Sequence, residues 1–194
     1  MQVNKNQVYQ SHNYTFKNFI LLSEDEKRMV WQWRNEGSIR SLMYTTDIIP
    51  WENHLRFIES LKSREDRYYW LIYKDDTAIG VFDITDYDKE KDFAEVGYYA
   101  NPELHGVGFE MLRECFWFYF HIINIKALTL SVRKDNCRAA LLDQFLGMKF
   151  TSSMEMEIND ELVQFHVCER FTKEDFNDKY QLTKADYKQY IKEH

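Results

Sequence analysis

Gly106 and Gly108 stand one residue apart between a strand-like run and a long apolar run, a spacing that suits backbone chemistry toward an anion. Residues 92–100 read as a buried strand, and residues 107–123 are helical in length and apolar content. Small residues let backbone N–H groups approach phosphate oxygens, and the positive end of the helix dipole favours their charge. The run is too short for a dinucleotide fingerprint or a P-loop, which need a third glycine or Gly-Lys-Ser/Thr. By itself it is either a tight turn or a phosphate cradle.

The elements that would position this loop can be read from both sides. Upstream, residues 19–22 predict a first strand, and Ser23 with Glu26 forms a capping box before a helix over 24–34. Short helices are expected over 38–44 and, opened by Pro50, over 51–63. Strands over 68–73 and 78–84 flank a hairpin turn at 74–77, and a strand over 93–100 follows a polar loop. Downstream come a strand over 127–132, a helix over 138–146, and strands over 150–158 and 163–171 around Asn159-Asp160. The order implies an α/β domain, a mixed central sheet of about seven strands flanked by about five helices. Residues 1–16 read as a polar leader, 17–171 as the domain, and 172–194 as a charged C-terminal extension.

Composition narrows the chemistry. The chain has 194 residues, 44% hydrophobic and 16% aromatic, enough for one full core. Its 25 Lys and Arg against 32 Asp and Glu give a formal charge of -7, which argues against an extended nucleic-acid surface. No signal-peptide or bilayer-spanning segment is evident, so a soluble cytoplasmic protein without membrane partners is expected. Cys115, Cys137 and Cys168 are odd in number and lack C-x-x-C spacing, so neither disulfide nor metal site is indicated. The aromatic run Phe116-Trp117-Phe118-Tyr119-Phe120 reads as core rather than a base-stacking surface.

With this order in view, the chain resembles the GNAT superfamily of acetyl-CoA-dependent N-acetyltransferases over residues 17–171. Glu103-Leu104-His105-Gly106-Val107-Gly108 is similar to the family cradle, Gln/Arg-x-x-Gly-x-Gly/Ala, with Glu103 departing at its head. Asn136-x-x-Ala139 followed by Gly147-Met148-Lys149-Phe150 resembles the segment whose Asn contacts the pantetheine arm. Trp33-Arg34-Asn35, Leu42-Met43-Tyr44 and Glu52-Asn53-His54-Leu55-Arg56-Phe57-Ile58 further resemble the acetyltransferases of the pseudaminic-acid pathway, as does Glu95 through Pro102. Those enzymes acetylate the 4-amine of a UDP-linked 4-amino-4,6-dideoxy sugar. Other branches with W-R-N near the start acetylate ribosomal-protein or peptide amines.

The resemblance implies acetyl-CoA as co-substrate, held by Gly106, Val107, Gly108, Phe109 and Asn136, with backbone N–H groups at Tyr98 and Tyr99 polarising the thioester oxygen. Glu95 is the expected base, unless it is merely a solvated or paired strand residue. The tyrosine that serves those relatives as acid is replaced by Asp143, which is either a buried group of raised pKa or an exposed helix residue; Tyr99 or water could supply the proton instead. Arg34 could pair with diphosphate oxygens and His54 with the nucleotide, Met43 and Tyr44 could wall the pocket, and Thr85 could meet a sugar hydroxyl. Each has an ordinary alternative: helix-end contact for Arg34, an outward helix position for His54, core for Met43 and Tyr44. A UDP-amino sugar is the expected small-molecule partner, a homodimer is possible, and a peptide acetyltransferase or a non-catalytic acyl-CoA-binding module are the alternatives.

Overall fold

Along Tyr14–Asn18 buried and half-buried residues alternate, Tyr14, Phe16 and Asn18 facing inward, and this period of two makes the segment a strand. The computed structural model describes residues 1–194 and shows eight strands in one sheet. They are β1 (Tyr9–Ser11), β2 (Tyr14–Asn18), β3 (Tyr68–Lys74), β4 (Thr77–Asp88), β5 (Phe93–Ala100), β6 (Ala127–Arg133), β7 (Ser152–Ile158) and β8 (Glu161–Thr172). Their order across the sheet is β1-β2-β3-β4-β5-β6-β8-β7. Every neighbouring pair is antiparallel except β5 and β6.

Seven α-helices complete the chain: α1 (Glu24–Asn35), α2 (Gly37–Arg40), α3 (Trp51–Ser60), α4 (Gly108–Trp117), α5 (Cys137–Phe145), α6 (Lys173–Asn177) and α7 (Lys184–Glu193). The capping box at α1 is present, Ser23 N–H donating to Glu26 Oε2 at 2.6 Å and Glu26 N–H to Ser23 Oγ at 3.3 Å. Helices α1 to α3 cover one sheet face, where Val30, Trp33, Ile39 and Ile58 pack on Leu71 and Val81. The other face carries the larger core, in which Phe116, Phe118, Tyr119 and Phe120 are fully buried against Trp70, Phe82 and Phe171. The aromatic run is therefore core.

Several expectations differ from the structure. Residues 19–22 hold a 3-10 turn, Phe19–Leu21, capped by Asn18, because the strand that precedes α1 ends at Asn18. The polar leader contains the β1–β2 hairpin, which raises the strand count from about seven to eight. Helix α2 stops at Arg40, and the helix expected over 107–123 runs as α4 and then a π turn, Phe118–Ile122. The segment after β8 folds as α6 and α7, with Tyr187 of α7 stacked on Phe109 of α4 and packed on Phe145 of α5. No helix is long and apolar enough to cross a membrane.

Close approach of β4 and β5 depends on Gly80, where an added Cβ would lie 2.2 Å from Met111 Sδ and 2.6 Å from the Tyr99 carbonyl. Gly80→Ala should cost about 1–3 kcal/mol by overpacking, whereas Gly37→Ala, with open space around it, should be near neutral. Urea unfolding of both variants checks this; equal midpoints would contradict it.

Candidate active site

Parallel strands β5 and β6 pair only at Phe93 with Ala127, Ala94 with Leu128 and Glu95 with Thr129, and beyond Glu95 the two separate. The far half of β5 thus has an open side. Asn101 N–H bonds Ile79 O at 2.9 Å, and the Tyr99 carbonyl faces Gly80, so odd-numbered residues turn their polar backbone toward β4. By alternation the N–H groups of Tyr98 and Ala100 face the opening. Of the two amides expected to polarise a thioester, Tyr98 is so placed, while that of Tyr99 belongs to the β4 ladder.

From the opening β5 leads directly into the glycine loop. Asn101 is buried and organises it: Nδ2 donates to Ala78 O at 3.0 Å, and Oδ1 accepts from Glu103 N at 2.9 Å. Gly106 adopts φ +73°, a conformation glycine takes without strain. No side chain caps α4, and its first intrahelical bond is Met111 N to Val107 O, leaving the N–H groups of Gly108, Phe109 and Glu110 as unpaired donors. These are the elements of an anion cradle. Lys184, at the start of α7, donates to Gly106 O at 2.7 Å, a contact that the sequence offered no local signal for. Asn136 caps α5 with Oδ1 on Ala139 N at 3.3 Å, so only its NH2 group is left for a ligand.

The face covered by α1 to α3 gathers most of the remaining residues. Glu95 is half-buried, its carboxyl pushed up chiefly by desolvation, and it accepts from Tyr44 Oη at 2.9 Å. Tyr44 packs on Phe165 of β8, so its ring spans the gap rather than sitting in the core. Arg34 donates Nη2 to Thr45 O at 2.9 Å, in the loop after α2 and not at its own helix end, and its buried Nη1 has no partner. Thr85 pairs in register with Glu95, and Met43 packs against the helices. Tyr99 shares this face, its hydroxyl pKa raised by burial.

His54 differs from expectation, Asp143 takes one of its two readings, and Asp83 was missed. His54 does not stand outward: it is 5% exposed, its Nε2 lies 3.2 Å from the Lys27 carbonyl, and its ring stacks on Trp51. Burial lowers its pKa to about 4, so it is a neutral clasp between α1 and α3 rather than a free nucleotide ligand. Asp143 is wholly buried on the opposite face, accepting from Tyr98 Oη at 2.6 Å, which excludes the exposed-helix alternative. Desolvation raises its pKa to about 8, and Oδ2 has no partner. Asp83, absent from the expected set, lies on β4 opposite Gly97, its pKa raised to about 7 chiefly by desolvation. The signal for it was the period of two that places Asp83 on one face with Thr85.

Residues 19–149 match the family of acetyltransferase (GNAT) domains. Acetyltransferase PseH of Campylobacter jejuni subsp. jejuni serotype O:2 is 36% identical over 128 residues, covering 66% of this chain and 80% of that protein. Among solved structures, Campylobacter jejuni N-acetyltransferase PseH in complex with acetyl coenzyme A superposes with a TM-score of 0.62 at 24% identity, over 82% of this chain and 99% of that one. Spermidine N-acetyltransferase from Vibrio cholerae in complex with CoA and spermine gives 0.75 at 15% identity, over 85% and 98%, a likeness of fold.

Asp143 makes stability itself pH-dependent. Its carboxyl binds a proton more tightly folded than unfolded, so its contribution is complete below about pH 4, where the unfolded carboxyl is protonated too, and is lost as pH rises from there through about 8. Thermal midpoints should therefore fall between pH 5 and pH 8.5 more steeply in the native chain than in Asp143→Asn; parallel curves would contradict the assignment.

Proposed function

We propose, for a chain that belongs to the GNAT family of acetyl-CoA-dependent N-acetyltransferases, that the acceptor is the 4-amino group of a UDP-linked 4-amino-4,6-dideoxy-HexNAc, acetylated by direct transfer. The observation that carries the geometry is β5, which bears a carboxylate at Glu95, turns the Tyr98 amide to an open side, and runs into an uncapped helix start. A cation, a developing oxyanion and a diphosphate would meet complementary groups along one continuous segment. The choice of a sugar nucleotide is supported by the identity with Acetyltransferase PseH and by Trp33-Arg34-Asn35 and Leu42-Met43-Tyr44 in matching order.

Each residue has a defined task in this reading. The amides from Gly106 to Glu110 hold the donor diphosphate, and the Asn136 amide group donates to the pantetheine arm. The Tyr98 N–H faces the thioester oxygen, where a preorganised donor is stronger than water because it needs no reorientation. Arg34 turns its free Nη1 to the acceptor diphosphate, and Tyr44 and Met43 wall the sugar, with Thr85 donating to a hydroxyl. Asp143, protonated near neutral pH, supplies the acid for the departing thiolate that a tyrosine supplies in the relatives. Direct transfer is supported by two of the three thiols: Cys115 and Cys168 are buried, whereas Cys137 is exposed at the start of α5, its Sγ donating to Lys134 O.

Thiol release from acetyl-CoA in the presence of UDP-4-amino-4,6-dideoxy sugars tests the reading. Arg34→Ala should raise the sugar-nucleotide KM about 10- to 100-fold, the worth of one charged hydrogen bond, and leave the acetyl-CoA KM unchanged. Turnover of N-terminal peptides with none of the sugars would overturn the assignment.

A further inference from the structure

Asp83 stands where the sheet opens. On the face under α1 to α3, β4 and β5 present three successive rows: Thr85 with Glu95, Asp83 with Gly97, and Val81 with Tyr99. The first is the last row at which β5 still pairs with β6, through Glu95 and Thr129. The second therefore lies at the level of the opening, and there β5 carries a glycine. A Cβ built on Gly97 would lie 3.1 Å from both Asp83 carboxylate oxygens, so the carboxylate leans across the facing strand toward the gap. Any side chain at 97 would stand between them.

The carboxylate is also unclaimed. Arg67 is drawn to Asp66 at 3.7 Å and Asp86 at 3.5 Å, and Arg34 is tied to the Thr45 carbonyl. The Gly97 amide opposite favours its charge. Glu95, by contrast, already accepts the Tyr44 hydroxyl. The groups that face Asp83 are Arg34 of α1, Arg67 and Tyr69 from β3 and its approach, and Glu95 and Tyr99 of β5. Through the sheet, Tyr119 donates to its main-chain carbonyl at 2.6 Å, which fixes the strand, and Cys115 lies within its field. Burial with Glu95 nearby outweighs the two arginines, and the carboxyl titrates near 7 rather than in the usual range.

We propose that Asp83, not Glu95, is the catalytic base that takes the proton from the acceptor ammonium. The N–H bond of the ammonium breaks, its electron pair stays on nitrogen, and the proton goes to an Asp83 oxygen and later to solvent. The freed pair attacks the thioester carbon, the C–S bond breaks, the CoA thiolate takes the Asp143 proton, and the second amine proton replaces it on Asp143. One ammonium and one thioester give one amide, one thiol and one released proton. A carboxylate that titrates near neutrality is matched to this task, because it is ionised at working pH yet still basic enough to accept. The inference rests on the acyl-transfer reading above, and it holds for whichever amine the enzyme accepts.

The pH profile of kcat/KM, taken with any amine that the native chain turns over, tests it. Below about 7 the native rate should fall tenfold per pH unit as the carboxyl gains its proton. Asp83→Asn, close to isosteric, should lose about 100- to 10,000-fold in kcat near neutrality at unchanged acetyl-CoA KM. Its deficit should narrow as pH rises toward the pKa of the amine, which a purely structural or binding role would not produce. Glu95→Gln should keep the acidic limb. An Asp83→Asn enzyme within threefold of native, or one that retains the limb while Glu95→Gln loses it, overturns the proposal. Turnover of peptide amines alone overturns only the sugar reading, and a native chain inert toward every amine overturns both.

Discussion

Strands β5 and β6 run side by side for three paired residues and then part, and most of what the molecule can do follows from that separation. A parallel pair that diverges leaves peptide groups without partners in the middle of a sheet, where backbone polarity is otherwise fully used. The protein does not close the gap with its own chain. It lines the gap instead, with Tyr44 reaching across to Glu95 on one face and Tyr98 meeting Asp143 on the other. An amide-bearing ligand laid between the strands would restore the missing ladder, so binding and sheet completion become one event.

The two faces of the opening have unlike electrostatics. Under α1 to α3, Asp83 and Glu95 share a pit with Arg34 and two tyrosines, and both carboxyls are pushed upward by burial. On the far face Asp143 is alone with the Tyr98 hydroxyl and is driven further still. Carboxyls raised to different extents thus lie on opposite sides of one strand. The low-dielectric core around Phe116, Phe118 and Phe120 holds Asp143 protonated near neutral pH, so core packing has a chemical consequence as well as a structural one.

Much of this was legible in the residues themselves. The Gly106 and Gly108 loop, the strand before it and the helix after it follow from periodicity and small-residue spacing, and the Ser23 capping box set the start of α1. The apolar quartet at 19–22 misled because four buried residues in a row are equally a strand or a 3-10 turn, and the real strand was marked by the alternation of Tyr14, Phe16 and Asn18. Asp83 escaped, and Asp143 was left between a buried and an exposed reading, for a related reason: a single carboxylate within an apolar element gives no local sign of which charges the tertiary fold places around it. His54 was misplaced because helix periodicity alone does not show whether a polar ring meets a ligand or a neighbouring carbonyl, here that of Lys27.

Lys184 draws α7 into this arrangement, since its ammonium rests on the carbonyl of Gly106 while Tyr187 lies on Phe109. The loop that starts α4 is therefore braced by a residue 78 positions further along the chain. A brace of that kind couples the conformation of the glycine loop to the docking of α7, so whatever loosens the helix loosens the loop with it.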